Sequence, residues 1–231
     1  MTGLGAPEMT DGLADRLAVV RQRIAATGRA PADVVVVAVT KGFGVDAVEA
    51  AAAMGLVDVG ENYAQELSEK WRAAPDGRRW HFLGRVQRNK VRSIAPAVHL
   101  WQGVDRVAAG EEIARRAPGA RVLVQVRIDD DHDVAPVRNG CAPGDVPALV
   151  ERLGGLGLDV RGLMAVGPPG APELARPGFR RVSALADRLG LVERSMGMTD
   201  DLGVAVEEGS TMVRVGRGLF GARPAAPKMR R

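Results

Sequence analysis

Lys41 is the first residue whose type and position suggest chemistry. It directly follows Val34-Val35-Val36-Val37-Ala38-Val39-Thr40, an unbroken β-branched run that suits a strand buried on both faces. A lysine there lies at the strand's C-terminal end, the edge where parallel barrels and open α/β sheets bind ligands. Partial desolvation beside apolar strand ends lowers an amine's pKa and frees it for imine formation. A lysine that snorkels from the strand end to water does neither. Residue 41 taken alone leaves both readings open.

Two later stretches suit an anion. Ser195-Met196-Gly197-Met198-Thr199-Asp200-Asp201 joins a strand to a helix. Thr199 or Asp200 could cap that helix. The small and hydroxyl residues before the Asp pair suit a loop whose N–H groups and hydroxyls hold a phosphate. Arg214-Val215-Gly216-Arg217-Gly218-Leu219-Phe220-Gly221 ends the last strand in a glycine-rich turn or short helix. Barrels often place phosphate between the loops after strands seven and eight and a short helix N-terminus. Glycine-rich turns alone are loop punctuation; two of them, with a lysine after strand one, form a set.

Further candidates are less specific. Gly60-Glu61-Asn62-Tyr63-Ala64-Gln65-Glu66 follows the second strand, and Trp80-His81-Phe82-Leu83-Gly84 and Gln87-Arg88-Asn89-Lys90 follow in turn. Asn62 reads as a helix cap or a pocket residue, His81 as a satisfied core histidine or a pocket residue. The acidic run at 129–133 includes His132, but consecutive residues rarely converge on one ion, so it reads as a solvated loop. No HExxH, paired CxxC or GxxxxGK[ST] occurs.

The elements that must position these residues alternate along the chain. Met9, Leu13, Leu17, Val20 and Ile24 share one face of an N-terminal helix. Strands are expected at 34–40, 56–59, 80–83, 98–104, 121–128, 160–166, 192–196 and 211–215. Helices or short helical turns separate them, with a long polar loop at 129–144. Such alternation argues for parallel strands with right-handed crossovers, and eight strands argue for closure. The expected fold is α/β, a single (β/α)8 TIM-type barrel with an extra N-terminal helix; an open doubly wound sheet is the alternative. One domain spans 1–231, with frayed ends at about 1–10 and 225–231.

Composition fits this architecture. The 231 residues are 46% hydrophobic and 26% charged, with 3% aromatic, so Val, Leu, Ala, Ile and Met must build the core. Ala, Arg, Gly and Val dominate, which suggests a GC-rich bacterial genome. The net charge of +4 comes from basic residues scattered beside acidic ones, so no nucleic-acid partner is expected. The cluster Lys228-Met229-Arg230-Arg231 reads as a frayed tail. Cys141 is the single cysteine, which fits a reducing compartment. No apolar run approaches a membrane span. A cytoplasmic monomer is expected, without membrane association.

These motifs together resemble the pyridoxal-phosphate homeostasis protein family, whose barrel is similar to the N-terminal domain of alanine racemase. The match runs through Val39-Thr40-Lys41, the stretches at 60–66 and 80–84, Arg161-Gly162-Leu163-Met164, the stretch at 195–201, and 209–221, and covers nearly the whole chain. The resemblance implies that pyridoxal 5'-phosphate (PLP) is held as a Schiff base on Lys41. It implies that Arg214 faces the pyridine nitrogen, where a cation disfavours protonation and weakens the electron sink. Ser195, Thr199, Gly216 and neighbouring backbone, including Gly197, would hold the phosphate; Asn62, His81 and Met196 would line the ring.

The implied function is PLP storage or delivery in cofactor homeostasis, without substantial catalysis, with apo PLP-dependent enzymes as recipients. A single-domain PLP-dependent racemase or lyase is the alternative. A third reading is a cofactor-free phosphate-binding barrel enzyme in which Lys41 acts on a sugar or carbonyl. The chain ends about fifteen residues after the last strand, so the second domain with which alanine racemases supply an opposing tyrosine is not expected. Three departures stand out: Gly42-Phe43-Gly44 is more flexible than the family's usual turn, Thr199 replaces a common serine, and Arg138 stands roughly where the family often has lysine. That last change leaves open a secondary cofactor site there.

Overall fold

The β-branched run becomes β1 (Val35–Val39), which pairs in parallel with β2 (Asp58–Glu61) on one side and β8 (Met212–Val215) on the other. Between them, β3 (Arg79–Phe82), β4 (Val98–Val104), β5 (Arg121–Val126), β6 (Asp159–Ala165) and β7 (Glu193–Ser195) follow in sequence order and close the barrel. The structure, a computed structural model, describes residues 6–74, 77–128 and 139–222. Arg138, His132 and the basic tail at 228–231 lie outside the described residues.

Helices α2 (Val45–Ala53), α3 (Ala64–Ala73), α4 (Arg88–Ile94), α5 (Val107–Arg116), α6 (Val146–Gly155), α7 (Arg176–Arg188) and α8 (Leu202–Glu207) each return the chain to the next parallel strand, as parallel pairing requires. The four-residue α9 (Arg217–Phe220) follows β8. None of the described helices is long and apolar enough to cross a membrane.

Strand side chains alternate between two cores. Val59, Trp80, Phe82, Trp101, Val122, Val124 and Leu163 point outward, packing with helix residues such as Leu67, Ile94, Ile113 and Phe179. Val37, Leu100, Leu123, Met164 and Met212 form a cluster made of strand residues alone, which is the apolar part of the barrel interior. At the strands' N-terminal ends, charges pair between neighbours: Asp58 with Arg79, Asp159 with Arg121, and Arg161 with Glu193.

The N-terminal helix α1 (Ala6–Ala25) buries Leu13, Leu17, Val20 and Ile24 against Ala38 of β1, Ala47 and Ala51 of α2, Leu202 of α8 and Leu219 and Phe220 of α9. It therefore covers the seam where β8 meets β1. Each such large aliphatic burial is worth about 1.5–3 kcal/mol.

The second strand differs from its sequence-based span. It begins at Asp58 and runs through Gly60 and Glu61, not 56–59. Leu56 instead ends α2: its N–H bonds Ala51 O at 2.9 Å past Gly55, whose φ is +76°. This is a Schellman closure in which glycine takes the left-handed position and Leu56 supplies the buried apolar contact.

Candidate functional site

Two residues beyond β1, Lys41 lines a cleft of about 350 Å3 with Val39, Phe43, Gly216, Arg217, Gly221 and Ala222. The first turn of the cleft wall comes from β1 and the opposite wall from the end of β8 and α9. These ends approach closely: a Cβ on Gly216 would stand 3.2 Å from Val39 O. Phe43 and Phe220 add an aromatic edge, with ring centroids 5.4 Å apart.

The turn that carries Lys41 is held from below. Lys70 Nζ donates to Thr40 O at 2.8 Å and to Glu61 Oε1 at 2.6 Å, and pairs with Glu66 Oε2 at 3.2 Å. Thr40 Oγ1 donates to Glu61 Oε1 at 2.6 Å, and Gly42 N–H donates to Glu66 Oε2 at 2.8 Å. Glu61 and Lys70 are buried. Burial pushes the Glu61 carboxyl up, against the opposing pull of Lys70 and Thr40. Sequence reasoning singled out the stretch holding Glu61 and Glu66 but not Lys70 or the network that joins them. The available signal was the Glu66–Lys70 spacing of four on a helix that follows a strand-end glutamate.

The two glycine-containing loops meet beside the cleft. Thr199 Oγ1 accepts from Gly218 N–H at 3.0 Å, which ties the loop after β7 to the start of α9. Gly197 has φ +90°, and a Cβ there would come 2.6 Å from the Ala205 Cβ; its carbonyl accepts from Arg214 N–H at 3.0 Å. The expected cap by Thr199 or Asp200 is not what starts α8. Asp201 stands at the N-cap without a side-chain cap bond, and its Oδ1 accepts from Met198 N–H at 2.6 Å. From α1, Arg23 donates to Thr199 O at 2.5 Å and to Asp200 O at 3.1 Å, while Arg16 donates to Leu219 O at 2.6 Å. The N-terminal helix thus grips both loops.

Inside the barrel, a polar chain runs from β8 to β2. Arg214 Nη1 donates to Ser195 O at 2.6 Å and to Ser195 Oγ at 2.8 Å; Nη2 donates to Ala165 O at 2.8 Å. Arg214 is buried, and burial pushes its guanidinium down to about 10, opposed by Asp201. Ser195 Oγ donates to Gln102 Oε1 at 2.7 Å, Gln102 Nε2 lies 2.8 Å from His81 Nδ1, and His81 Nε2 lies 2.9 Å from Asp58 Oδ1. A guanidinium can only donate and a carboxylate can only accept. With Gln102 Nε2 donating to His81 Nδ1, the hydrogen on His81 Nε2 points to Asp58 Oδ1. Arg79 closes the far end with two bonds to Asp58, at 2.8 and 2.6 Å. Burial works against the Asp58 carboxylate, but His81 and Arg79 outweigh it and hold its pKa below the ordinary value.

The structure thus divides the expected site residues. Lys41 and Gly216 line one cleft, with Thr199 bonded to its α9 wall. His81 and Met196 do not line it: both ring nitrogens of His81 are engaged in the interior chain, and Met196 packs fully buried in the outer core. Ser195 likewise spends its hydroxyl on Gln102 and Arg214 because, as the last residue of β7, it points inward. Asn62 lines a different cleft of about 470 Å3, between α3 and α4, with Tyr63, Gln87, Lys90 and Trp101. Residue type suggested a shared site for these groups; strand-face parity separates them.

A closed parallel barrel with a lysine at its mouth is the class to which the sequence also points: a family model described as alanine racemase, N-terminal domain, matches residues 10–224. Within that class the relatives are specific. Pyridoxal phosphate homeostasis proteins of Pseudomonas aeruginosa and Deinococcus radiodurans are 40% and 38% identical, over 93% and 88% of this chain and 96% and 97% of their own. PipY of Synechococcus elongatus, solved without and with PLP bound, is 31% identical over 90% of this chain and 100% of its own, with TM-scores of 0.79 and 0.77. The chain belongs to the pyridoxal phosphate homeostasis protein family.

Proposed function

We propose that this protein binds PLP in the Lys41 cleft and holds it for storage or delivery in cofactor homeostasis. The observation that carries the reading is a half-buried lysine facing, across one cleft, the start of α9. The residues present fit the group. A volume of about 350 Å3 suits a small cofactor. Gly216 leaves the wall open where a side chain would press on Val39 O. The Thr199 hydroxyl and the backbone at 216–218 supply neutral polar contacts for a phosphate beside the Arg217 guanidinium. Arg214 lies in the barrel interior with its guanidinium held on Ser195 and Ala165, and in this reading it is the cation toward the ring end.

PLP supplies an aldehyde that a primary amine captures reversibly, and Lys41 is the primary amine of this cleft. The other described lining residues are Val39, Phe43, Gly216, Arg217, Gly221 and Ala222. They offer no carboxyl, imidazole, phenol or thiol to work as a second acid or base. That favours holding and release over turnover. The recipients in this reading are apo PLP-dependent enzymes, and the carrier works as a monomer in the bacterial cytoplasm.

Purified protein given PLP should turn yellow, with a visible band that borohydride abolishes and that Lys41→Ala lacks. Protein that stays colourless with excess PLP overturns the reading. Racemisation of alanine or serine at ~1 s⁻¹ or more, an ordinary enzyme turnover, would make it a racemase.

A further inference from the structure

We propose that Glu66 and Lys70, with Glu61 beneath them, are positioning residues that aim the Lys41 amine into the cleft by fixing the peptide plane on each side of its Cα. The proposal rests on the reading of Lys41 as the amine that captures PLP. A side chain's direction follows its Cα frame, and that frame turns only on the two flanking peptide planes. Before Lys41, the Thr40 carbonyl accepts from Lys70 Nζ at 2.8 Å and from Phe43 N–H at 3.0 Å, while Thr40 N–H donates to Gly60 O at 3.1 Å. After Lys41, Gly42 N–H donates to Glu66 Oε2 at 2.8 Å.

Both restraints meet at one ammonium. Lys70 pairs with Glu61 at 2.6 Å and with Glu66 at 3.2 Å, so two carboxylates and one lysine bracket the turn from β2 and α3. The turn needs that bracket. Gly42 has φ +76° and Gly44 follows two residues later, so the segment after Lys41 has little stiffness of its own. Stability does not call for the charges: an apolar set of similar volume often packs as well as a buried ion pair. A lysine that merely reached for water would need no such support. Glu61 Oε2 is buried without a hydrogen-bond partner, a cost that fits a group placed for its other oxygen, which serves both Thr40 and Lys70.

Amide exchange on the cofactor-free protein reads the bracket directly. In Glu66→Ala the segment 40–44 should exchange about tenfold faster, as expected for loss of one hydrogen bond to a charged acceptor. Glu66→Gln retains an oxygen for Gly42 N–H and should stay within about threefold of wild type. With PLP bound, Glu66→Ala should release it about tenfold faster and weaken its visible circular dichroism band. Its thermal midpoint should stay within about 2 °C, since the side chain is partly exposed. The double variant Lys70→Met/Glu61→Gln removes the buried pair together and should behave like Glu66→Ala; should it not fold, the Glu66 variants decide alone. Wild-type exchange at 40–44 and wild-type release in Glu66→Ala would overturn the bracket while leaving the cleft assignment standing. Wild-type protein that takes up no PLP overturns both.

Discussion

Ser195 and Thr199 carry the same functional group four residues apart, and their surroundings give them different work. Thr199 lies in the loop and bonds Gly218 N–H beside the cleft. Ser195 ends β7 facing inward, and its hydroxyl is the one link that can both accept from Arg214 and donate to Gln102. Ser195→Ala leaves the buried Gln102 carbonyl without its donor, while Arg214 keeps the Ser195 main-chain oxygen. The expected cost is about 1–3 kcal/mol in urea unfolding, with the borohydride-sensitive band of the PLP complex retained. Loss of that band at an unchanged urea midpoint would return Ser195 to the binding surface. Residue type was legible in the sequence here, and so was Lys41, because a β-branched run announces a buried strand and its end. Facing was not legible for Ser195, His81 and Met196, because a one-residue shift in strand register reverses which groups point inward.

At the scale of elements, α1 has two faces and the sequence announced one of them. The spacing of Leu13, Leu17, Val20 and Ile24 marks the apolar stripe, and all four are buried over the β8–β1 seam. The polar face holds the loops of the site: Arg23 on the carbonyls of Thr199 and Asp200, and Arg16 on that of Leu219. These partners are more than 170 positions away, and an arginine on a helix's polar face looks the same whether it meets water or a carbonyl. Arg23→Ala should weaken PLP binding by about three- to tenfold, the loss of one or two partly exposed charged hydrogen bonds. Fluorescence titration would measure it, and the thermal midpoint should move by no more than about 3 °C. An unchanged dissociation constant would reduce α1 to a cover for the seam.

At the scale of the whole molecule, barrel closure makes possible a contact that no linear pattern records. Gln102 on β4 and Ser195 on β7 are not neighbours in the sheet, yet they meet across the interior at 2.7 Å. The alternation of strands and helices was enough to read eight parallel strands; the polar chain needed the ring to be shut. Its lower end gives the molecule a dependence on acid. The Asp58 carboxylate is held below its ordinary pKa by His81 and Arg79 despite burial, and His99 lies close by, its ring 6.0 Å from that of His81. In the unfolded chain an aspartate takes up its proton near pH ~3.9. Above that pH the stabilisation from Asp58 is fully present. It is lost as the pH falls through the lower folded-state pKa, because the unfolded chain then binds the proton more readily than the native one. Urea unfolding from pH ~7 to pH ~3 should therefore show wild type ahead of Asp58→Asn at neutral pH by about 1–3 kcal/mol, with the gap narrowing below pH ~4. A gap that stays constant across that range would mean that Asp58 contributes shape and hydrogen bonding without its charge, and the chain from Arg214 would then end on a neutral acceptor.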